Sequence, residues 1–134
     1  MKRISILLIA LIASVTVLSA QDNVAKIEFA ETTHDFGNIQ EANGDVTCEF
    51  PFTNTGKIPL IITRATSSCG CTAPSYPKEP IAAGEKGVIS VTYHAKGRPG
   101  GFSKNITVYA NTAPDNTILQ IKGNVIPEVV QPVN

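Results

Sequence analysis

The sequence predicts an all-β domain of immunoglobulin type, built as a two-sheet antiparallel sandwich. From residue 24 onward, apolar residues recur with a period of two rather than three to four, which is the period of a strand with one buried face. Short stretches rich in valine, isoleucine and threonine are separated by glycine, proline and asparagine at intervals of roughly 8–12 residues. This spacing of strands and turns is typical of immunoglobulin-like sandwiches.

The first twenty residues have the pattern of a secretory signal peptide. Lys2 and Arg3 precede an uncharged run over residues 4–18, and the small residues Ser19 and Ala20 follow it. The apolar run is shorter than the about 20 residues that a membrane-spanning helix needs. We therefore expect cleavage after residue 20, a mature chain without a membrane span, and a periplasmic or secreted location.

The domain boundaries follow from this cleavage. Residues 1–20 are the predicted signal peptide, residues 21–126 the predicted sandwich domain, and residues 127–134 a short C-terminal tail. The whole sequence has eleven basic and eleven acidic residues, and loss of Lys2 and Arg3 leaves nine against eleven, a net charge of −2. Because nucleic-acid affinity rests mainly on neutralised phosphates, we expect no nucleic-acid partner.

The strand predicted over residues 45–54 shows the alternation most clearly. Val46, Cys48, Phe50 and Phe52 point to one face, and the more polar residues between them point to the other. Cys48 is thereby placed on the core face, where a thiol acts as a small hydrophobic group shielded from solvent.

The other elements follow the same reasoning. Residues 54–57 supply turn chemistry, with Gly56 free to take a positive φ, and a partner strand is predicted at residues 59–67. A polar loop follows at residues 77–87, with Ile81 against the core. Further strands are predicted at residues 24–30, 34–39, 88–95, 102–111 and 117–125. Their predicted core residues are Ile89, Val91, Tyr93, Phe102, Ile106, Val108, Leu119, Ile121 and Val125.

The segment Cys69-Gly70-Cys71 has three possible interpretations. In a regular strand, residues two apart have Cα atoms about 6.6 Å apart, near the upper limit for a disulfide, and Gly70 can shorten this distance by turning. A disulfide here would close a very small loop, so it would constrain the unfolded chain little, and its strain would raise its reduction potential. The segment is therefore a structural corner, a redox pair, or half of a metal site.

The metal interpretation needs more ligands than two thiolates. Cysteine thiolates suit Cu(I) and Zn²⁺, but a closed site has about four ligands. The sequence has only two histidines, His34 and His94, so the candidate set is Cys69, Cys71, His34 and His94. No second CxxC and no HxxxH is present, and we expect no cofactor.

No enzyme motif is present. The sequence lacks a GxSxG elbow, a glycine-rich phosphate loop and an HExxH helix. His34 and Asp35 could form half of a triad, but no nucleophile is singled out. The sequence therefore predicts a protein without catalytic activity.

Six segments, taken in order, resemble a bacterial exported family known as domain-of-unknown-function family 1573. They are HDFGNI, FPFTNTGKIPLII, SSCGCTAP, PIAAGEKGVISVTY, GFSKNITVYAN and LQIKGNV, and the likeness covers residues 27–126. The resemblance implies an immunoglobulin-like sandwich and an exported location. The architecture of this family is similar to that of the abnormal-spindle, hydin and major-sperm-protein modules, which act as docking or scaffolding units. The resemblance therefore implies a binding function and supplies no catalytic activity.

These observations predict a non-catalytic interaction module of the bacterial envelope. Its partner is expected to be another protein or an envelope component, bound at the strand edges or the end loops. The alternative comes from a different class: a periplasmic thiol-redox or soft-metal-binding protein that uses Cys69 and Cys71.

Overall fold

The computed structural model describes residues 23–129, so the predicted signal peptide and residues 130–134 of the predicted tail lie outside the described residues. A single 3-10 turn, Glu41–Asn43, links the second and third strands. No helix in this part of the chain is long and apolar enough to cross a membrane. The eight strands are β1 (Ile27–Phe29), β2 (Thr33–Gln40), β3 (Val46–Asn54), β4 (Ile62–Ser67), β5 (Thr72–Ser75), β6 (Lys86–Tyr93), β7 (Gly100–Ala110) and β8 (Asn116–Ile126).

The strands form two four-stranded sheets that pack face to face. Sheet A has the order β1-β3-β6-β5, and sheet B has the order β2-β8-β7-β4. This is the strand order of a constant-type immunoglobulin sandwich, with β2 added at the edge of sheet B. The predicted immunoglobulin-like fold is therefore confirmed. All pairs are antiparallel except β2 with β8, which run parallel and make sheet B mixed.

The core lies between the sheets and comes from alternate residues of the long strands. All the core positions predicted on β3, β6, β7 and β8 lie inside it, with Val46 and Phe102 half-buried at its margin. The fully enclosed ones are Cys48, Phe50, Phe52, Ile89, Val91, Tyr93, Ile106, Val108, Leu119, Ile121 and Val125. Ile81 packs against the core from its loop, as predicted.

The hairpin predicted between residues 45–54 and 59–67 is wrong. β3 pairs with β1 and β6 in sheet A, whereas β4 pairs with β7 in sheet B. The buried side chain of Asn54 explains the crossing, because its amide nitrogen donates to the carbonyls of Ile58 at 2.8 Å and Ile81 at 2.9 Å. These bonds hold the connection against the distant loop, so the chain passes to the other sheet instead of folding back.

Gly56 is required for space and not for a positive φ, which corrects the prediction made for it. The φ angle of Gly56 is not positive. A Cβ built on Gly56 would lie 2.5 Å from the backbone nitrogen of Lys26 and 2.7 Å from the carbonyl oxygen of Val24. The close approach of the two backbone segments therefore excludes a side chain here.

Candidate functional site

The Cys69-Gly70-Cys71 segment is the corner at which the chain passes from sheet B to sheet A, between β4 and β5. Cys69 and Cys71 form a disulfide whose Cα atoms are 5.2 Å apart. The turn at Gly70 brings them closer than a regular strand would. Cys71 belongs to the buried core, while Cys69 is partly buried beside it. A redox role for this pair stays a prediction.

The corner also closes the free edge of β5. The carbonyl of Cys71 accepts a hydrogen bond from the N–H of His94 at 2.8 Å, so Thr72 and Pro74 are the residues that face away from β6. The N–H of Thr72 donates to the carbonyl of Cys69 at 3.3 Å, and proline has no N–H. The edge of β5 therefore offers no free donor to an added strand.

A second contact ties the two sheets together on this side. The hydroxyl of Tyr76 donates to the carbonyl of Thr63 at 3.1 Å, at the point where the pairing of β4 with β7 is irregular. The ammonium of Lys78 lies 3.3 Å from the centroid of the Tyr76 ring. The sequence offered Tyr76 no role, because its partner is separated from it by the whole corner.

The opposite side of sheet A is open. β1 has three residues and pairs with β3 only over Phe52–Asn54. The N–H of Ala30 then donates to the carbonyl of Pro51 at 3.3 Å, after which the chain leaves for sheet B. The remaining part of β3, Val46–Phe50, has no strand beside it on this side within residues 23–129. We call Val46–Phe50 the open part of β3.

The register identifies the backbone groups that are unpaired there. The N–H of Asn54 donates to the carbonyl of Glu85 at 2.9 Å on the β6 side, while the carbonyl of Pro51 faces β1. Strand residues alternate in this respect, so Cys48 and Phe50 bond to β6, and the N–H and C=O groups of Thr47 and Glu49 face outward. Thr47 and Glu49 are exposed.

A cavity of about 270 Å³ lies beside the open part of β3, between the edges of the two sheets. We call it the β3 mouth. His34 of β2 lines it, and the His34 ring packs edge-on against Phe36, with ring centroids 4.5 Å apart. The mouth is lined by Ala30, Glu31, Thr33, His34, Glu49, Phe50 and Pro51.

The four predicted metal-binding residues do not form one cluster. The imidazole Nδ1 of His94 lies 3.0 Å from a carboxylate oxygen of Asp45, and His34 lies at the β3 mouth. Both thiols of the corner are joined in the disulfide. Among residues 23–129 no group of three or more histidine, cysteine, aspartate or glutamate side chains is placed to hold a metal ion. A metal role for these residues stays a prediction.

Cys48 is the free cysteine of the described chain, and it is buried, as predicted. Its side chain is 5% exposed on the inner face of β3. Burial raises the pKa of this thiol from 9.0 to about 11. Because the thiolate is the reactive form, Cys48 is chemically inert near neutral pH.

Comparisons with known proteins agree with the fold and the resemblance. The family model described as "Protein of unknown function (DUF1573)" matches residues 27–125. A protein of unknown function from Porphyromonas gingivalis W83 has a TM-score of 0.66 and 13% identity, over 83% of this chain and 51% of its own. This chain thus spans about half the length of that protein. No match was found among curated proteins.

Two further solved structures are similar in fold. The ASH/PapD-like domain 7 of human CEP192 has a TM-score of 0.64 and 11% identity, over 79% of this chain and 89% of its own. The secreted serine protease VesC from Vibrio cholerae has a TM-score of 0.57 and 10% identity, over 78% of this chain but 24% of the protease. At such identities the likeness concerns the fold alone.

Proposed function

Since the chain belongs to the family of proteins of unknown function DUF1573, and membership in it assigns no activity, we propose that this protein is a non-catalytic interaction module. It binds an extended segment of a partner protein along the open part of β3. Export to the periplasm or beyond is part of the proposal and rests on the signal-like first twenty residues.

The observation that carries the proposal is the contrast between the two sides of sheet A. On the β5 side, the corner and Pro74 leave no free donor. On the β3 side, Thr47 and Glu49 present two N–H and two C=O groups in strand geometry. Native proteins usually block the exposed edges of their sheets against pairing with another strand. A sheet with one edge blocked and the opposite edge open therefore favours binding of an added strand at the open edge.

The size of the edge limits what backbone bonding can achieve by itself. Four added hydrogen bonds at about 1 kcal/mol each give about 4 kcal/mol. Association alone costs an estimated 4–15 kcal/mol in lost translation and rotation. Backbone pairing at Thr47 and Glu49 therefore needs side-chain contacts of the bound segment to give stable binding.

The test uses the mature protein and a display library of random twelve-residue peptides. Peptides are selected on the wild type and then titrated against Glu49→Pro, which removes one outward N–H, and against Glu49→Ala, which keeps it. Proline is compatible with this position because the N–H of Glu49 does not bond to β6. Circular dichroism and melting temperature establish that both variants are folded.

We expect selected peptides to slow hydrogen exchange at the amides of Thr47 and Glu49. Their affinity for Glu49→Pro should fall at least about tenfold, while Glu49→Ala retains backbone pairing and binds more tightly than Glu49→Pro. Peptides that bind folded Glu49→Pro as tightly as the wild type, or that protect amides elsewhere, would show that the open part of β3 is not the binding site.

A further inference from the structure

Resting on the proposed strand addition, we propose further that the bound segment carries a lysine or arginine whose side chain enters the β3 mouth. The alkyl stem would lie on Ala30 and Phe50, and the charged group would lie at the rim beside Glu31. This assigns the partner a chemical class: an extended, basic peptide segment.

The position of the mouth follows from where β1 ends. Because the last bond of β1 with β3 is the one from Ala30 to Pro51, an added strand begins opposite Phe50. Residues opposite one another in a sheet point to the same face. Phe50 points inward, so the residue opposite it points toward His34 and into the mouth.

The lining of the mouth selects a side chain that is apolar along its length and cationic at its end. Ala30, Phe50 and Pro51 provide apolar surface, and no lysine or arginine lines the cavity. Lysine and arginine stems cover apolar surface while their charged ends stay in water, and both cations are attracted to aromatic rings. A cavity of about 270 Å³ has room for such a stem.

The carboxylates on both faces of this edge, Glu31 at the rim of the mouth and Glu49 on the outer face of sheet A, are uncompensated within the described chain. Glu31 and Glu49 are exposed, and neither takes part in an ion pair within residues 23–129. Asp45, just before β3, pairs with His94. The basic side chain in the mouth would supply positive charge at Glu31, and a basic residue opposite Glu49 would supply it on the outer face.

The same charges argue against a second copy of this chain as the occupant. In an antiparallel pair of two β3 edges, the outward-bonding residues of the copies face one another, so Glu49 would meet Glu49 or Thr47 of the other copy. Glu31 of each copy would lie nearby. In the register that places Glu49 opposite Glu49, like charges face one another and destabilise the pair, which a basic partner avoids.

The experiment varies only the residue that enters the mouth. In a peptide selected as above, that residue is made lysine, norleucine or glutamate, and affinities are measured by fluorescence anisotropy at 50 mM and 500 mM salt. The protein variants are Glu31→Gln and a matched control, Glu79→Gln. The control removes one exposed carboxylate that does not line the mouth.

We expect the lysine peptide to bind about fivefold more tightly than the norleucine peptide at low salt, and the glutamate peptide to bind most weakly. The advantage of lysine should disappear in Glu31→Gln, persist in the control, and shrink at high salt.

Three contrary results are distinguishable. If norleucine binds as tightly as lysine while Thr47 and Glu49 amides are still protected, the basic side chain is wrong and strand addition stands. If no selected peptide depends on the N–H of Glu49, both proposals fail. A concentration-dependent dimer that Glu49→Pro abolishes would instead show that a second copy of this chain occupies the edge. That result would overturn the proposal of a basic partner.

Discussion

The hydroxyl of Tyr76 and the carbonyl of Thr63 are joined by a hydrogen bond of 3.1 Å that spans the edges of the two sheets. It lies on the side of the sandwich that the disulfide corner already closes. Together with the bond from Thr72 to Cys69, it fixes this side of sheet A and leaves the β3 side as the open edge of that sheet.

Removal of this bond should lower stability without changing the fold. We expect Tyr76→Phe to reduce the free energy of unfolding by about 1 kcal/mol, because the Thr63 carbonyl loses its partner. Tyr109→Phe is the matched control, since the Tyr109 ring packs under Arg64 and its hydroxyl makes no hydrogen bond within residues 23–129. Urea denaturation measures both variants. Equal stability of the two would mean that the Tyr76 bond does not hold the sheets together.

Substitution of glycine by alanine should destabilise the protein at Gly56 and have little effect at Gly70. Gly56→Ala places a Cβ 2.5 Å from the Lys26 nitrogen and should cost about 1–3 kcal/mol of unfolding free energy. Gly70→Ala places a Cβ in open space, and the φ of Gly70 is not positive, so its effect should stay within about 0.5 kcal/mol. Thermal denaturation of the two variants decides this. A large loss for Gly70→Ala would show that the corner needs glycine itself.

The strand pattern was predictable because burial of one face leaves a period of two in the sequence. Phe50, Ile89 and Leu119 were all placed on the inner face from this alternation, and all are buried. The turn residues at 54–57 did not show to which sheet β4 belongs, since they suit a hairpin and a crossing equally, although the strand order of the predicted immunoglobulin type places these two strands in different sheets. The deciding contact is from Asn54 to Ile81, which are 27 positions apart.

The open part of β3 could have been found only in part. Pro51 within a strand pattern is a signal that one side of that strand lacks a ladder bond, because proline has no N–H. The length of the open part, however, depends on β1 ending at Phe29, and nothing in the sequence of residues 24–30 shows how far their pairing extends. The edge of β5 is closed by the hydrogen bond from the N–H of Thr72 to the carbonyl of Cys69. That bond likewise exists only once the corner has folded.

The buried Cys48 thiol should make the protein less stable at alkaline pH. Its pKa is raised from 9.0 to about 11, so between these values the unfolded chain loses the proton while the folded chain keeps it. Stability is therefore fully present below pH 9 and decreases by about 2–3 kcal/mol as the pH rises to 11. Urea denaturation of the wild type and Cys48→Ala from pH 8 to 11 measures the difference.

The loss of stability measured for Cys48→Ala must be subtracted from that of the wild type, because burial also raises the pKa of Tyr93. Ionisation of Tyr93 therefore lowers stability at alkaline pH as well. The curve of Cys48→Ala should therefore fall less steeply than that of the wild type. Parallel curves for the two proteins would mean that the Cys48 thiol ionises equally easily in the folded and unfolded chains.

The disulfide should matter for stability and not for binding. Because Cys69 and Cys71 are only two positions apart, their loss in Cys69→Ser with Cys71→Ser should lower the free energy of unfolding by about 1–2 kcal/mol. Peptide affinity at β3 should stay within about twofold, because the corner lies at the other edge of sheet A. Loss of binding by a double variant with a normal melting curve would favour the thiol-redox alternative.

Amide exchange along β3 should alternate residue by residue in the protein without a partner. The N–H groups of Cys48 and Phe50 bond to β6 and should exchange slowly, whereas those of Thr47 and Glu49 face outward and should exchange at least about a hundredfold faster. Ser90 and Val91 are the internal control, since β6 has neighbours on both sides and both amides should be slow. Nuclear magnetic resonance at two protein concentrations about two orders of magnitude apart reads each amide separately and exposes any self-association. Slow exchange at Thr47 and Glu49 at every concentration would mean that this edge is already occupied within the chain, and the open part of β3 would cease to exist as a binding site.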